Sequence, residues 1–455
     1  MSVEVESRGD SVLVLLKRTA GGAKTFVLAG VRREASRLWD DMRRQRSLLH
    51  WASILLLLVV AGLYTRHWLL QFWDPLFDPN LQTDDARTAL FPFHRYAPGA
   101  PLANDPIANE MIEYQPYAFR FLYWLTVPSI GVLAASKVVQ GLCILIVIAS
   151  AIPLLRSPRA GLGAAAWFVF LFLHDMFVTE RIGGGLPRSF GFPAIAVWLA
   201  GTLAHSPWAR RTGAVIAALT YPSALAMILG AEGLYALRNM GLPTWRKTWE
   251  RLRNYGLLVA VCAALFAPAV LFGASDGGPV HTLQQAEQEP AFGRAGRLWL
   301  LPLPDAGRTF GDHFLKTFEP RGEHLWPWTG LGDYERAEEV SLALFALLLL
   351  LPLLGLSPVP ASVVAFAVAS MILYVLSVKY AFRLYSPERY YSYGMRVVAL
   401  GLAAGTVGLL FPRLPANVRH PLRNVLVAVA IFSVWLFLGD GAAVSRGRLM
   451  EMTIS

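Results

Sequence analysis

Charge is scarce in this chain and cysteine nearly absent. Only 16% of the 455 residues are Asp, Glu, Lys or Arg, against 55% hydrophobic. A soluble globular domain carries roughly a quarter charged residues, so the shortage argues against that class. The two cysteines, Cys143 and Cys262, both lie in apolar runs. They form no disulfide framework and read as small buried apolar residues. No secretory signal opens the chain. The first 49 residues hold ten Lys/Arg and six acids. The first long apolar run starts near His50 without a small-residue cleavage site after it, and reads as an uncleaved signal anchor. The net charge of +10 forms no continuous basic domain. It sits in short stretches between apolar runs, which excludes a nucleic-acid reading and matches the loop cations of membrane proteins.

What is abundant is apolar and aromatic. There are 14 Trp and 25 Phe, residues that suit lipid-facing surfaces and interfacial belts. A crossing needs about 20 mostly apolar residues. Segments 51–72, 132–154, 161–177, 189–204, 255–272, 340–356, 361–378, 397–410 and 422–438 qualify, several by borrowing flanking residues or by local bilayer thinning. Segment 212–237 is long for one crossing and short for two, and Tyr221-Pro222-Ser223 breaks its middle. Proline removes a backbone donor and bends or ends a helix. A pair of short helices keeps every arginine-rich short loop on one side, whereas a single kinked helix scatters them, so the positive-inside rule favours the pair.

The predicted fold is an all-α polytopic membrane protein with about 10–12 transmembrane helices and large extracytoplasmic loops. Residues 1–49 form a cytoplasmic segment, within which 11–16 and 25–31 suit a small hairpin or a surface helix. Residues 50–438 form the transmembrane domain, with outer loops 74–128 and 273–339. Residues 439–455 form an extracytoplasmic tail. The outer loops carry seven and eleven acids respectively. Segment 114–131 is apolar but holds Arg120 and Pro128, and is expected to lie as a helix on the outer membrane surface.

Chemistry concentrates on that outer side. Asp84 and Asp85 are adjacent in the first loop. Such a pair either takes a proton from a hydroxyl or ligates a divalent cation beside a phosphate; a solvated turn needs the same residues. Glu110 and Glu113, three apart, would share a helix face toward the site or toward water. A second cluster runs from His174-Asp175 through Arg181, three glycines and Arg188. The glycines permit close backbone approach, and arginine pairs well with phosphate. The Lys-Ser/Thr ending of a nucleotide phosphate loop does not follow them. A third cluster sets Lys379, Arg383, Arg389 and Arg396 among five tyrosines, including Tyr385 and Tyr390. It fits a lipid-borne phosphate, or equally an interfacial aromatic belt with snorkelling cations. The second outer loop adds His281, Trp326 and Trp328 among others, without metal-ligand spacing.

An acidic first outer loop, many short or broken helices and a late arginine-tyrosine motif together resemble the membrane glycosyltransferases of the GT-C fold. The resemblance covers most of the chain after His50. Members move a sugar from a polyprenyl-phosphate or polyprenyl-diphosphate donor to a protein, lipid or glycan. It implies that Asp84 or Asp85 acts as the base or helps to hold a metal, Mg2+ or Mn2+, with metal dependence left open. The stretch Ser386-Pro387-Glu388-Arg389-Tyr390 resembles the proline-arginine-tyrosine motif of related bacterial proteins. Arg389 would then contact the donor phosphate, helped by Arg383, Arg181 or Arg188. His174, Asp175, Glu113, Tyr385 and Tyr390 would contact substrate. Many members carry a soluble C-terminal domain; none is expected here, so acceptor binding would fall to the outer loops or to a membrane-protein partner. The implied location is a bacterial inner membrane, N-terminus cytoplasmic and C-terminus extracytoplasmic. Three rivals use the same features: a lipid-linked glycan polymerase or ligase, a transporter, and a non-catalytic scaffold for envelope assembly.

Overall fold

The computed structural model describes residues 48–67, 89–113, 115–156, 161–174, 181–237, 245–271, 360–379, 388–410 and 413–429, with a few isolated positions besides. Every regular element among the described residues is helical; none is a strand. In chain order the helices are α1 (Leu48–His67), α2 (Pro106–Glu113), α3 (Tyr117–Ser150), α4 (Ile152–Arg156), α5 (Gly161–His174), α6 (Gly191–Leu203), α7 (Pro207–Thr220), α8 (Pro222–Leu237), α9 (Trp245–Leu271), α10 (Ala361–Lys379) and α11 (Glu388–Leu410). A further helix covers residues 416–429. Single 3-10 turns occupy Phe91–Tyr96, Gly183–Gly185 and Pro187–Phe190. By length and apolar composition, one described stretch, Tyr117–Arg156, is sufficient to cross a membrane; five apolar helices are shorter.

α6 is the centre of the packing. Every residue from Gly191 to Thr202 is buried, as expected of a helix apolar on all faces. Small residues let its neighbours approach closely. A side chain on Gly213 of α7 would stand 2.7 Å from the Ala194 carbonyl oxygen and 2.7 Å from the Trp198 nitrogen. One on Gly201 would meet the Arg210 nitrogen at 2.6 Å. The α6–α7 turn bends at His205 (φ 54°). Ser206 then caps α7 by accepting the Ala209 N–H, and Pro207 fills the first turn, where no donor is needed. On the far side, α10 fits between α8 and α11 through Ala369 against Gly230 and Ser370 against Gly394.

Several expected boundaries fall where the chain changes direction. The 212–237 segment is two helices, α7 and α8, separated by Tyr221 in an extended conformation (φ −147°, ψ 95°). The expected division at residue 131 coincides with a kink: Gly131 adopts φ 77°, ψ 165° inside α3, three residues after Pro128. Other boundaries differ. α9 starts ten residues before the apolar run 255–272, and α11 starts nine before 397–410. Both extensions carry Arg and Glu, and α9 also Lys, all good helix formers; apolar content marks where a helix is dry, not where it begins. Residues 1–47, segment 340–356 and nearly all of loop 273–339 lie outside the described residues.

Close approach at Gly213 is testable. Gly213→Ala should lower the thermal midpoint of the purified protein, at a cost of about 1–3 kcal/mol. Gly141→Ala, where an added Cβ meets nothing within 4 Å, should leave it unchanged or raise it slightly. Equal effects would contradict the tight α6–α7 contact.

Candidate functional site

Three segments far apart in sequence meet at one end of these helices. The first is the glycine run. Gly184 (φ 85°) and Gly185 (φ 63°) occupy left-handed conformations that disfavour other residues. Gly185 also lies hard against α3: a Cβ there would be 2.4 Å from the Ser136 carbonyl oxygen. The Tyr123 hydroxyl donates to the Gly185 carbonyl at 2.8 Å, inside the core. Ser189 Oγ receives the Leu186 N–H at 3.0 Å and donates to the Gly183 carbonyl at 3.3 Å, closing the run. The glycines therefore form a fixed seat, and they hold the half-buried Arg181 and Arg188 on either side of it. The Nε atoms of both arginines are buried.

The second segment is the α7–α8 turn, and the third is the start of α11. Arg389 donates through Nη1 to the Tyr221 hydroxyl at 2.8 Å, with its guanidinium 5.9 Å from the Tyr221 ring centre. One turn later, Tyr393 stacks on Phe192 of α6 with ring centres 4.2 Å apart and planes 8° apart. Tyr393 stands 6.0 Å from Tyr221. Gly191 makes room for both tyrosines, since a Cβ there would touch each ring at 2.9 Å. Arg181 and Arg389 both lie within electrostatic reach of the Tyr393 hydroxyl. Tyr390 shares a side-chain hydrogen bond with Ser223 in the first turn of α8.

The structure thus gathers Arg181, Arg389 and Tyr390 from two of the predicted clusters. Arg188 lies on the Pro187–Phe190 turn, which packs on α3, α6 and α7. Tyr390 is buried at 4% exposure. Glu113 is exposed at the end of α2, as is Glu110. His174 is the last residue of α5. Asp84, Asp85, Asp175, Arg383 and Tyr385 lie outside the described residues. Among the described residues no group of His, Cys, Asp and Glu is arranged to hold a metal ion. In the first loop, Asp105 caps α2 by accepting the Ala108 N–H at 2.8 Å, and Arg95 donates to Asn109 at 2.6 Å. Burial pushes the nearby Tyr96 phenol above its ordinary value, partly opposed by Arg120 and Arg95.

The roles of three residues escaped the sequence reading. Tyr221 figured there only as part of a helix break, yet it accepts the Arg389 hydrogen bond. Glu232 lies inside an apolar segment, and Arg210 was expected in a loop. Arg210 instead sits in the first turn of α7 and turns inward, donating through Nε to Glu232 Oε1 at 2.8 Å and through Nη2 to Oε2. A carboxylate among packed helices needs such a partner, and a lone Glu in an apolar run was the signal available for it.

The chemistry of the first end is cationic and aromatic. Guanidinium groups on a rigid glycine seat, with phenols between them, suit an anion that fixes several donors at once, above all a phosphate. No protein-family model, curated protein or solved structure matches this chain.

Gly183 and Gly185 separate flexibility from close packing. Gly185→Ala must displace α3 or its own backbone, and should abolish stable folding or cut function by about tenfold or more. Gly183→Ala meets nothing within 4 Å and should be tolerated. Indistinguishable thermal midpoints and activities for the two variants would contradict the seat.

Proposed function

We propose that the chain is a polytopic membrane glycosyltransferase of the GT-C type. It takes a sugar from a polyprenyl-phosphate-linked donor and passes it to a glycan, lipid or protein acceptor at the extracytoplasmic face. The observation that carries the reading is the hydrogen bond from Arg389 to Tyr221, with Arg181 within electrostatic reach of the neighbouring Tyr393. Each comes from a segment that the charge pattern assigns to the outer side.

Exposed apolar stripes support a lipid environment. Val138, Leu142, Leu145 and Ile148 are exposed along α3, Leu257, Val261 and Leu265 along α9, and Val364, Val368, Ile372 and Val375 along α10. These three- and four-residue spacings draw one face of each helix. Bare apolar faces on several elements are unusual for a soluble monomer. Beyond Gly131, α3 runs about 28 Å, close to the hydrocarbon thickness of a bilayer.

In this reading the donor's phosphate rests on Arg389 and Arg181. Their fixed charges stabilise the phosphate as it leaves the anomeric carbon. Asp84 or Asp85 takes the proton of the acceptor hydroxyl as its oxygen attacks that carbon. Where a divalent cation takes part, Asp84 and Asp85 would hold it, and it would supply further charge neutralisation at the phosphate.

The test is sugar transfer from radiolabelled polyprenyl-phosphate sugars in membranes that express the wild type, Asp84→Asn, Asp85→Asn or Arg389→Ala. Wild-type transfer should fall about 100-fold or more in Arg389→Ala and in one aspartate variant, at equal protein level. Transfer that survives all three changes would sink the site. Sidedness has its own check, because Cys143 and Cys262 are both buried and give a low background. A membrane-impermeant maleimide should label Asn104→Cys in intact cells, and Arg211→Cys only after the membrane is opened. The reverse pattern would overturn the topology.

A further inference from the structure

At the opposite end of α7 and α8 from Tyr221 lies a polar group that the transfer reading leaves unused. The Glu232 carboxylate, on α8, accepts the Trp198 indole N–H of α6 at 2.7 Å and the Arg210 Nε–H of α7 at 2.8 Å; its second oxygen accepts from Arg210 Nη2. Its side chain is 13% exposed and that of Arg210 19%. The Arg210 guanidinium also lies 5.0 Å from the ring centre of Tyr235, one turn along α8. Gly233, next to Glu232, admits the Tyr255 hydroxyl of α9, which would stand 2.9 Å from a Cβ there. One carboxylate thus ties α6, α7 and α8 together where α9 also packs.

The same three helices are joined again at the other end. Tyr221 links α7 to α8, its ring fits against Gly191 at the start of α6, and its hydroxyl receives Arg389. α7 and α8 have 14 and 16 residues, about 21–24 Å each. Helices this short, without an internal kink, move as rods. Turning either rod at the Glu232 end turns Tyr221, and with it the hydroxyl that Arg389 donates to.

We infer that Glu232, with Arg210 and Trp198, is the positioning group for Arg389, acting through the α7–α8 hairpin from about 15 Å away along α8. That Arg389 holds a donor phosphate rests on the transferase reading; the mechanical link does not. A buried ion pair adds little net stability over an apolar pair, but removing one partner leaves a buried charge and is severe. The bidentate Arg210–Glu232 pair, with the Trp198 donor added, sets rotation about the helix axes, which apolar packing of Ala and Gly surfaces fixes poorly.

The test needs no donor. Ala224, in the first turn of α8 beside Tyr221, and Ala236, one turn past Glu232, are both buried. Each is replaced in turn by cysteine, and the rate of maleimide labelling of purified protein in detergent is measured with and without Glu232→Gln. The inference predicts that Glu232→Gln speeds labelling at both Ala224→Cys and Ala236→Cys, at the former by about tenfold or more. Faster labelling at Ala236→Cys alone, or at neither, overturns it, because either result confines the role of Glu232 to its own surroundings. Where Glu232→Gln does not yield folded protein, Arg210→Lys decides by the same two rates, since it keeps the charge and loses the bidentate geometry. Should labelling respond as predicted while no donor supports transfer, the positioning role stands and the transferase reading alone fails.

Discussion

The hydrogen bond from Arg389 to Tyr221 joins elements that lie far apart in the chain. It fixes the start of α11 to the turn between α7 and α8, across a separation of 168 residues. Around it, Gly191 lets two tyrosine rings lie against the start of α6, and the stacked pair Phe192–Tyr393 seals the contact beneath. The glycine run approaches the same place from α3, where no residue with a side chain would fit at Gly185. Take away these close approaches and the cations are merely dispersed on a surface. With them, a guanidinium from a late helix and one from the glycine run both lie within electrostatic reach of Tyr393. Preorganised donors of this kind are worth far more to an anion than the same residues on flexible loops.

The arrangement depends on thinness. α6, α7 and α8 are all shorter than a standard spanning helix, and several of their closest approaches are made at Ala and Gly. Small surfaces bring backbones together and leave little to fix rotation. The polar groups at either end, Tyr221 with Arg389 and Glu232 with Arg210 and Trp198, supply directional bonds where packing supplies few. In a lipid environment, as proposed, such bonds face weak competition from water, though partners within the membrane moderate their value.

Much of this was legible in the sequence, for definite reasons. Pro222 announced the break between α7 and α8, because its missing N–H cannot continue a helix. Arg120 and Pro128 together set residues 114–131 apart from the uninterrupted apolar run 132–154, and the chain does turn at Gly131. The arginine clusters at Arg181–Arg188 and Arg383–Arg396 were visible as charge against apolar flanks. Their meeting was not, because it is decided by which glycine permits which backbone to approach, and single glycines carry no address. Tyr221 looked like punctuation. Glu232 and Arg210 are 22 residues apart on consecutive helices, beyond any local spacing rule; one fell in an apolar run and the other was counted as a loop charge. A lone carboxylate in an apolar segment, with an arginine at matching depth on the preceding helix, is the pattern that would have disclosed them.

In the proposed function, the Arg389–Tyr221 end of the helices seats a lipid-borne phosphate. Binding of radiolabelled polyprenyl phosphate to the purified protein in detergent tests it most directly. Saturable binding by the wild type, lost in Arg389→Ala and retained in Arg211→Ala on the opposite end of α7, is the result the account predicts. Binding that is absent in the wild type, or equal in all three proteins, would contradict it.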